Sequence, residues 1–196
     1  MMNLANTAFV LIASILVLFM TPGLAFFYGG LVSEKNVVNT MLSVFIMTGR
    51  AILLWVDVGY ALAFSGDIGG VVGNLHQALM TGVNLTSLTV NHIPLGAYAL
   101  FQMMFAVITP ALFVGAVVGR IRFKFLLWFL IAWSLCVYYP MVHLVWSPDG
   151  WLAKLGVLDF AGGTVVHINA GVTALVLSAW LGPRLTKPTT ARHYNL

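Results

Sequence analysis

The sequence predicts an all-α integral membrane protein with five transmembrane helices. Of its 196 residues, 61% are hydrophobic and only 7% are charged, whereas a soluble domain carries about 25% charged residues. Five apolar stretches are each near or above the roughly 20 residues that a helix needs to cross a bilayer. These observations exclude a soluble globular domain, and the net charge of +4 has to be interpreted by position rather than as a nucleic-acid-binding patch.

The five predicted spans are roughly 6–27, 40–64, 95–119, 125–145 and 159–181. Pro22 is expected to break the first span, and Pro140 lies in the fourth. Each proline frees a backbone carbonyl, which is tolerated where neighbouring helices or a water-lined cavity compensate. The longest polar connection is 65–93, which is rich in Gly, Asn and Ser.

Basic residues in the connections predict the orientation. Seven of them fall on one side of the predicted spans, and only Lys154 falls on the other; the seven are Lys35, Arg120, Arg122, Lys124, Arg184, Lys187 and Arg192. Because cytoplasmic loops are enriched in Lys and Arg, the N-terminus is predicted outside and the C-terminus in the cytoplasm. We predict a transmembrane domain over 1–182 and a short basic cytoplasmic tail over 183–196.

The fifth span carries the most informative motif, DFAGGTVVHINAG (159–171). If Asp159 caps the helix, His167 lies about 12 Å along its axis, near the middle of a hydrocarbon core about 30 Å thick. An ionisable side chain at that depth is costly and usually faces a pore, a cavity or a partner, so transport is the leading hypothesis. A membrane enzyme using these two residues as acid and base is disfavoured by their separation and by the lack of a nucleophile or metal cluster. We predict no enzymatic activity, no cofactor and no metal.

Six segments together resemble the ammonium transporter (Amt/Mep/Rh) family. They are PGLAFFYGGLVSEKNVVN (22–39), GYALAF (59–64), FQMMFAVITPAL (101–112), RIRF (120–123), HLVW (143–146) and the DFAGGTVVHINAG motif. Their order and spacing are similar to those of the first five helices of the family. The resemblance implies one half of an inverted-repeat ammonium channel fold, in which two halves enclose the pore. We therefore expect the chain to be an N-terminal half that needs the second half to conduct.

The resemblance also implies roles for particular residues. Phe101, Phe105 and Trp146 match an external aromatic vestibule that recruits ammonium, and Phe105 matches one of two stacked rings that gate the pore. His167 matches the first of two histidines that hydrogen-bond to each other along the pore, and Asp159 matches an aspartate needed for conduction. The family further implies a homotrimer in the cell membrane, contact with lipid and a cytoplasmic regulatory protein. The carried species is left open between ammonium or methylammonium, ammonia plus a proton, and carbon dioxide.

Structural explanations compete with each of these roles. Phe101 and Phe105 are spaced i, i+4, as in ordinary core packing, and Trp146 fits an aromatic belt at the membrane edge. Asp159 fits an N-cap, and we favour that structural role even within a transporter. His167 has the weakest structural explanation. His143 is interpreted as a vestibule or helix-end residue.

Arg50 and Asp57 depart from the apolar pattern expected for the second span. At i, i+7 they share one helix face, about 10.5 Å apart along the axis. They could form a buried pair linking this helix to a neighbour. Alternatively, Arg50 snorkels to the boundary while Asp57 is protonated or meets a polar partner, or the charges are introduced substitutions or lesions of a divergent copy. For the whole chain, the alternative function is a non-conducting ammonium sensor or assembly subunit of the same family.

Overall fold

Five long apolar helices make up most of the structure, a computed structural model that describes residues 1–183. They are α1 (Leu4–Leu31), α2 (Glu34–Phe64), α3 (Leu95–Val117), α4 (Phe123–Lys154) and α5 (Gly163–Leu181), all long and apolar enough to cross a membrane. The prediction of an all-α protein with five such helices is confirmed. The predicted basic tail over 183–196 lies outside the described residues except for Pro183.

The central helix of the bundle is α3, which packs against α1, α2 and α5. Its buried side chains surround most of its circumference, as expected for a helix enclosed by others. By contrast, α1 buries only small residues (Ser14, Thr21, Ala25 and Gly29) and exposes large apolar ones such as Phe9 and Phe19. An apolar outer face of this kind suits contact with lipid rather than water.

The expected break at Pro22 is wrong, because α1 continues without interruption from Leu4 to Leu31. A proline removes one backbone donor and crowds the preceding turn, and a membrane helix accommodates it when local adjustments satisfy the freed carbonyl. Pro110 is likewise contained within α3. Asn3 fixes the start of α1, since its side-chain oxygen accepts a hydrogen bond from the Asn6 N–H at 3.0 Å.

Three helices contain a π-helical segment, a local widening of the helix that often occurs at functional sites. These segments are Trp55–Gly59 in α2, Ser134–Tyr138 in α4 and Gly163–Ile168 in α5. Trp55 of the first segment packs against Tyr139, the residue that follows the second segment, with the ring centroids 6.1 Å apart. A Cβ atom on Gly59 would lie only 2.6 Å from a ring carbon of Tyr139, so only glycine permits this contact.

Arg120 joins the ends of two helices, although the sequence suggests only a loop charge. Its Nη1 donates to the Gly182 carbonyl at 2.6 Å and its Nη2 to the Ser178 hydroxyl at 3.0 Å. Nη2 also donates to the Ala116 carbonyl. Carbonyls at a helix C-terminus lack partners within the helix and favour a cation, so this arginine stabilises the ends of both α3 and α5.

The buried pair proposed for Arg50 and Asp57 is not formed within residues 1–183. Both side chains are exposed, and the ion pair found among the described residues joins two other groups, Asp67 and His143. The axial separation of about 10.5 Å is too long for direct contact. Because both charges are exposed within residues 1–183, the alternative of a buried link between α2 and another described helix is wrong.

Candidate functional site

A cavity of about 680 Å³ contains all five residues singled out in the sequence. Phe101, Phe105, Trp146, Asp159 and His167 line it together. Phe101 and Phe105 come from α3, and Trp146 ends the α-helical part Tyr139–Trp146 of α4. Asp159 lies in the connection before α5, and His167 lies in the first turns of α5. The structure therefore brings residues from three separate helices to one concave site.

The three aromatic residues form a continuous cluster on one wall of the cavity. The Phe101 and Phe105 rings are 4.9 Å apart at 88°, and the Phe105 and Trp146 rings are 5.6 Å apart at 67°. Both are edge-to-face arrangements, which are favourable between aromatic rings. All three side chains are half-buried, so part of each is covered by neighbouring residues and the rest faces the cavity.

Asp159 is not the N-cap residue that the sequence predicted, because Gly162 holds that position, but its carboxylate still caps the first turn of α5 from three residues further back. Its Oδ2 accepts a hydrogen bond from the Val165 N–H at 3.1 Å, while α5 starts at Gly163. The turn between them depends on Gly162, which has φ +72°. A Cβ atom there would also lie 2.9 Å from Cγ2 of Val166, so glycine is required for both reasons.

His167 lies in the π-helical segment of α5 with its side chain exposed to the cavity. Because α5 begins at Gly163, the imidazole is about 6 Å along the helix axis from its start. The predicted axial distance of about 12 Å is therefore wrong, since it counted the non-helical residues 159–162. Within the described residues, the imidazole has no hydrogen-bond partner and remains available to one.

Gln102 is the residue that the sequence analysis missed in this cavity. It is 92% buried, its Nε2 donates to the Tyr98 hydroxyl at 3.1 Å, and its Oε1 has no partner in the described part of the chain. A buried carbonyl oxygen without a hydrogen-bond partner is costly, so its position in the cavity wall indicates a place for a ligand that donates a hydrogen bond. The signal in the sequence was a glutamine between the two phenylalanines of FQMMF.

The cavity is open along one side of the described bundle. Phe160 and Leu158 are 104% and 94% exposed, and Leu175 on α5 is 69% exposed. Large apolar side chains at such exposure are typical of a surface that another protein segment or lipid covers. No group of three or more His, Cys, Asp or Glu side chains suited to a metal is found within residues 1–183.

His143 is a buried structural residue rather than a lining residue of this cavity. Its ring is fully buried, with Nδ1 2.9 Å from the Ala63 carbonyl and Nε2 3.1 Å from Oδ1 of Asp67. Because a carbonyl only accepts, Nδ1 is the donor in the first contact. The two contacts hold the end of α2 and the connection that follows it against α4.

The pKa of Asp67 is held below its ordinary value. Partial desolvation alone would raise this pKa, but the hydrogen bonds from His143 and the Gly70 N–H, together with the charge of Lys154, outweigh it. These groups all favour the ionised carboxylate. Asp67 therefore stabilises the connection between α2 and α3 as an anion.

The stability that this carboxylate contributes is expected to disappear in acid. A group whose pKa is lowered by folding stabilises the protein above its unfolded pKa of about 4, and the contribution is lost as pH falls through the lower folded pKa. Asp67→Asn should therefore lower the melting temperature of the purified protein near pH 7 but make no difference at about pH 2. Asp149→Asn, which alters an exposed carboxylate, is the control and should have no effect at either pH. If the melting temperature of Asp67→Asn stayed below that of the wild type by the same amount in acid, this explanation would be contradicted.

Comparison with known proteins identifies relatives along nearly the whole chain. The model of the Ammonium Transporter Family matches residues 8–196. A putative ammonium transporter of Methanothermobacter thermautotrophicus is 45% identical over 196 residues, which cover 98% of this chain and 48% of the relative. Ammonium transporter 1 of Dictyostelium discoideum is 45% identical over 184 residues, covering 91% of this chain and 39% of the relative.

Solved structures of Mep2 and Amt proteins share the fold of this chain. The crystal structure of Candida albicans Mep2 superposes with a TM-score of 0.84 at 35% identity, covering 93% of this chain and 40% of that one. A structure described as a Sensor Amt Protein gives a TM-score of 0.82 at 28% identity, over 92% of this chain and 45% of the other. The chain thus spans about half the length of the relatives it matches. Since the family model covers all but the first few residues and the five helices superpose on Mep2, this chain belongs to the Ammonium Transporter Family.

Proposed function

We propose that the chain provides the first half of a pathway that carries ammonium across the membrane. The observation that carries this proposal is the convergence of Phe101, Phe105, Trp146, Asp159 and His167 on one cavity. Recruitment, gating and passage are all assigned to this cavity, in the order in which a cation entering from outside would meet these residues.

Recruitment is assigned to the aromatic cluster and to Gln102. The faces of Phe101, Phe105 and Trp146 attract a cation by about 0.5 to 2 kcal/mol each without adding a net charge. The unpartnered Oε1 of Gln102 adds a hydrogen-bond acceptor, and ammonium has four N–H donors to offer. A site with aromatic faces and a single acceptor suits a small cation with N–H groups, whereas Ca²⁺ and Mg²⁺ need several oxygen ligands that this cavity wall does not offer within the described residues.

Passage is assigned to Phe105 and His167. Phe105 is assigned the gate, because its ring packs between those of Phe101 and Trp146. Ammonium transfers its proton to an unprotonated ring nitrogen of His167, which lines the same cavity, and the resulting ammonia continues along the path while the imidazolium releases the proton to water. A neutral imidazole has one donor and one acceptor, so it can contact both ammonia and a second polar group along the path.

A second half of the protein is proposed to cover the open side of the cavity. The exposed apolar residues beside it, among them Phe160 and Leu175, support this proposal. The chain also spans only 48% of its Methanothermobacter relative, which leaves a segment long enough for a second set of helices. In this arrangement the pore lies between the two halves.

The remaining assignments follow the family and the charge distribution. The transmembrane domain is placed over 1–182 and a short basic cytoplasmic tail over 183–196, with the N-terminus outside. The functional protein is proposed to be a homotrimer in the cell membrane, with lipid around it and a cytoplasmic regulatory protein as a further partner. Ammonium is the proposed substrate, and methylammonium is its analogue.

Ammonium-driven currents test the proposed function. The test uses a full-length chimera, in which this chain is continued by the remaining half of the Methanothermobacter relative. Its current in proteoliposomes is compared with the current of the chain alone. Gln102→Leu is expected to raise the ammonium concentration for half-maximal current about tenfold, because a hydrogen bond to a charged ligand is lost. Gln77→Leu, on the connection outside the cavity, is the matched control and should leave the current unchanged. A chimera that folds and carries no current would contradict the transport proposal, whereas an unchanged Gln102→Leu would contradict only the role of that residue.

Sensing is the second candidate function, and the likeness to the Sensor Amt Protein supports it. A sensor needs the recruitment cavity but not passage past His167. Ammonium binding without current in the folded chimera would favour sensing over transport, and Trp146→Leu should then weaken binding.

Labelling of introduced thiols tests the proposed orientation. With Cys136 replaced by Ser, Val90→Cys should react with a membrane-impermeant reagent added outside intact cells, because Val90 is 97% exposed on the connection between α2 and α3. Lys124→Cys should react only after the cells are opened, since Lys124 lies in the first turn of α4, next to the basic connection predicted to be cytoplasmic. The opposite pattern would reverse the proposed orientation.

A further inference from the structure

A second cavity of about 410 Å³ lies where the start of α2 meets the connection between α3 and α4. It shares no lining residue with the first cavity. Along α3, the first cavity is lined from Tyr98 to Leu112 and the second by Val118, so the second cavity begins about 9 Å beyond Leu112 on the helix axis. Val118 directly follows α3 at the end away from Tyr98, so the second cavity lies at the membrane face that carries the basic connections.

The lining of this cavity is amphipathic. Asn36, Asn39, Thr40 and Ser43 supply polar groups from the first turns of α2. One turn deeper, Ile46 is apolar and faces Leu126 of α4 across the cavity. A polar end followed by an apolar floor has the same order as a lipid headgroup followed by its acyl chain.

Thr40 supplies a buried polar group without a partner. The residue is 1% exposed, lines the cavity, and its Oγ1 has no hydrogen bond in the described part of the chain. The two next hydroxyl residues of α2 behave differently, because Ser43 and Thr48 each donate to the carbonyl four residues earlier, at 2.6 and 2.9 Å. Buried hydroxyls normally find a partner, so this one suits a ligand that enters from the cavity.

The rim of the cavity is positively charged. Arg122 lies between two lining residues, Ile121 and Phe123, and Lys124 is next in the sequence. Lys35 precedes the lining residue Asn36. All three cationic side chains are exposed, and none forms an ion pair within residues 1–183. Glu34 is the one acidic residue among these positions. Arg120 does not contribute, because its guanidinium is bound to α3 and α5.

We propose that this cavity binds an anionic phospholipid from the leaflet that surrounds the basic connections. The phosphodiester is neutralised by Arg122 and Lys124, and it accepts hydrogen bonds from the Asn39 amide and the Thr40 hydroxyl. The first part of one acyl chain lies along Ile46 and Leu126. Basic pockets between membrane helices are suited to anionic headgroups, and the apolar floor favours a lipid over a free phosphate ion, which would leave that floor uncovered.

Lipid binding to the purified protein tests this site. Native mass spectrometry in detergent would compare phosphatidylglycerol with phosphatidylcholine of the same acyl chains, and inorganic phosphate would serve as a competitor. Phosphatidylglycerol should bind at least about fivefold more tightly, and Arg122→Gln with Lys124→Gln should weaken it about twentyfold while leaving phosphatidylcholine unchanged. Thr40→Val, which keeps the shape and removes the hydroxyl, should weaken phosphatidylglycerol about fivefold.

The experiment has one control variant and three outcomes that would overturn the proposal. Lys154→Gln removes a cation on the other predicted side of the membrane and should not affect binding. Equal affinity for the two lipids, or an unchanged affinity in the double variant, would overturn the proposal. Displacement of phosphatidylglycerol by millimolar phosphate would also overturn it, because the site would then recognise a free anion. None of these outcomes depends on whether the protein conducts ammonium.

Discussion

His167→Ala is expected to reduce ammonium-driven current in the full-length chimera by about a hundredfold or more. The imidazole is the one described ionisable group of α5 that faces the cavity, so its removal takes away the donor and acceptor along the path. A positioned group that transfers a proton contributes about 10² to 10⁴ to the rate of the step it serves. Loss of the current to this extent would therefore fit a role in the passage itself.

The same substitution is expected to leave the fold intact. The His167 side chain is exposed to the cavity and makes no hydrogen bond within the described residues, so water can fill the space that it leaves. The melting temperature of the purified protein should stay within about 2 °C of wild type, as for surface substitutions. His76→Ala, which alters an exposed histidine of the connection between α2 and α3, provides the control for both measurements. Wild-type current and selectivity in His167→Ala would remove this residue from the proposed pathway.

The five spans were predictable because they depend on composition, and the grouping of the site residues was predictable through the family resemblance. A membrane helix needs a long apolar run, and the sequence contains five of them. The cavity residues were identified one by one through the family resemblance, and the fold brings them together. Their individual roles stay predictions until currents are measured.

Helix ends and irregular turns were less predictable, because they depend on individual backbone groups. Nothing in the residue pattern of 159–171 distinguishes a helix starting at Asp159 from one starting at Gly163, and only the left-handed Gly162 separates them. Pro22 was expected to end a helix, yet α1 continues through it. In both cases local propensity competes with tertiary packing, which decides the outcome.

Polar contacts between distant segments could not be predicted at all. The Asp67–His143 pair joins residues 76 positions apart, and Arg120 reaches Gly182 across 62 positions. Such contacts follow from how α2, α4 and α5 pack, not from sequence spacing. Gln102 was missed for a related reason, since a glutamine matters only once its oxygen is known to lie buried without a partner.

Asp159→Ala is expected to destabilise the protein and to stop conduction, whereas Asp159→Asn should do neither to the same degree. Alanine removes the oxygen that accepts from the Val165 N–H at 3.1 Å, and loss of an N-cap costs about 1 kcal/mol. Asparagine retains a side-chain oxygen for that hydrogen bond and is an equally good cap. Comparison of the two variants therefore separates the contribution of the helix cap from that of the negative charge.

The cap is expected to be the main contribution of Asp159 to conduction. The hydrogen bond to Val165 fixes the first turn of α5, and His167 lies in that same π-helical segment, two residues beyond Val165. A shift of this turn would move the imidazole relative to the aromatic cluster, and small displacements in a site are costly to its function. Asp159→Asn should therefore keep the turn, the position of His167 and current within about fivefold of wild type, since an asparagine cap is as effective as aspartate.

Currents and melting temperatures measured on the same preparations decide between cap and charge. Asp159→Ala should lose about a hundredfold in current together with a few degrees of melting temperature, and Asp149→Ala, on the exposed connection within α4, should lose neither. An Asp159→Asn protein of normal stability that carried as little current as Asp159→Ala would show that the charge attracts the cation directly. In that case the carboxylate would belong with the aromatic cluster as part of the recruitment site, because a negative charge beside Trp146 would add a long-range attraction that neutral ring faces lack.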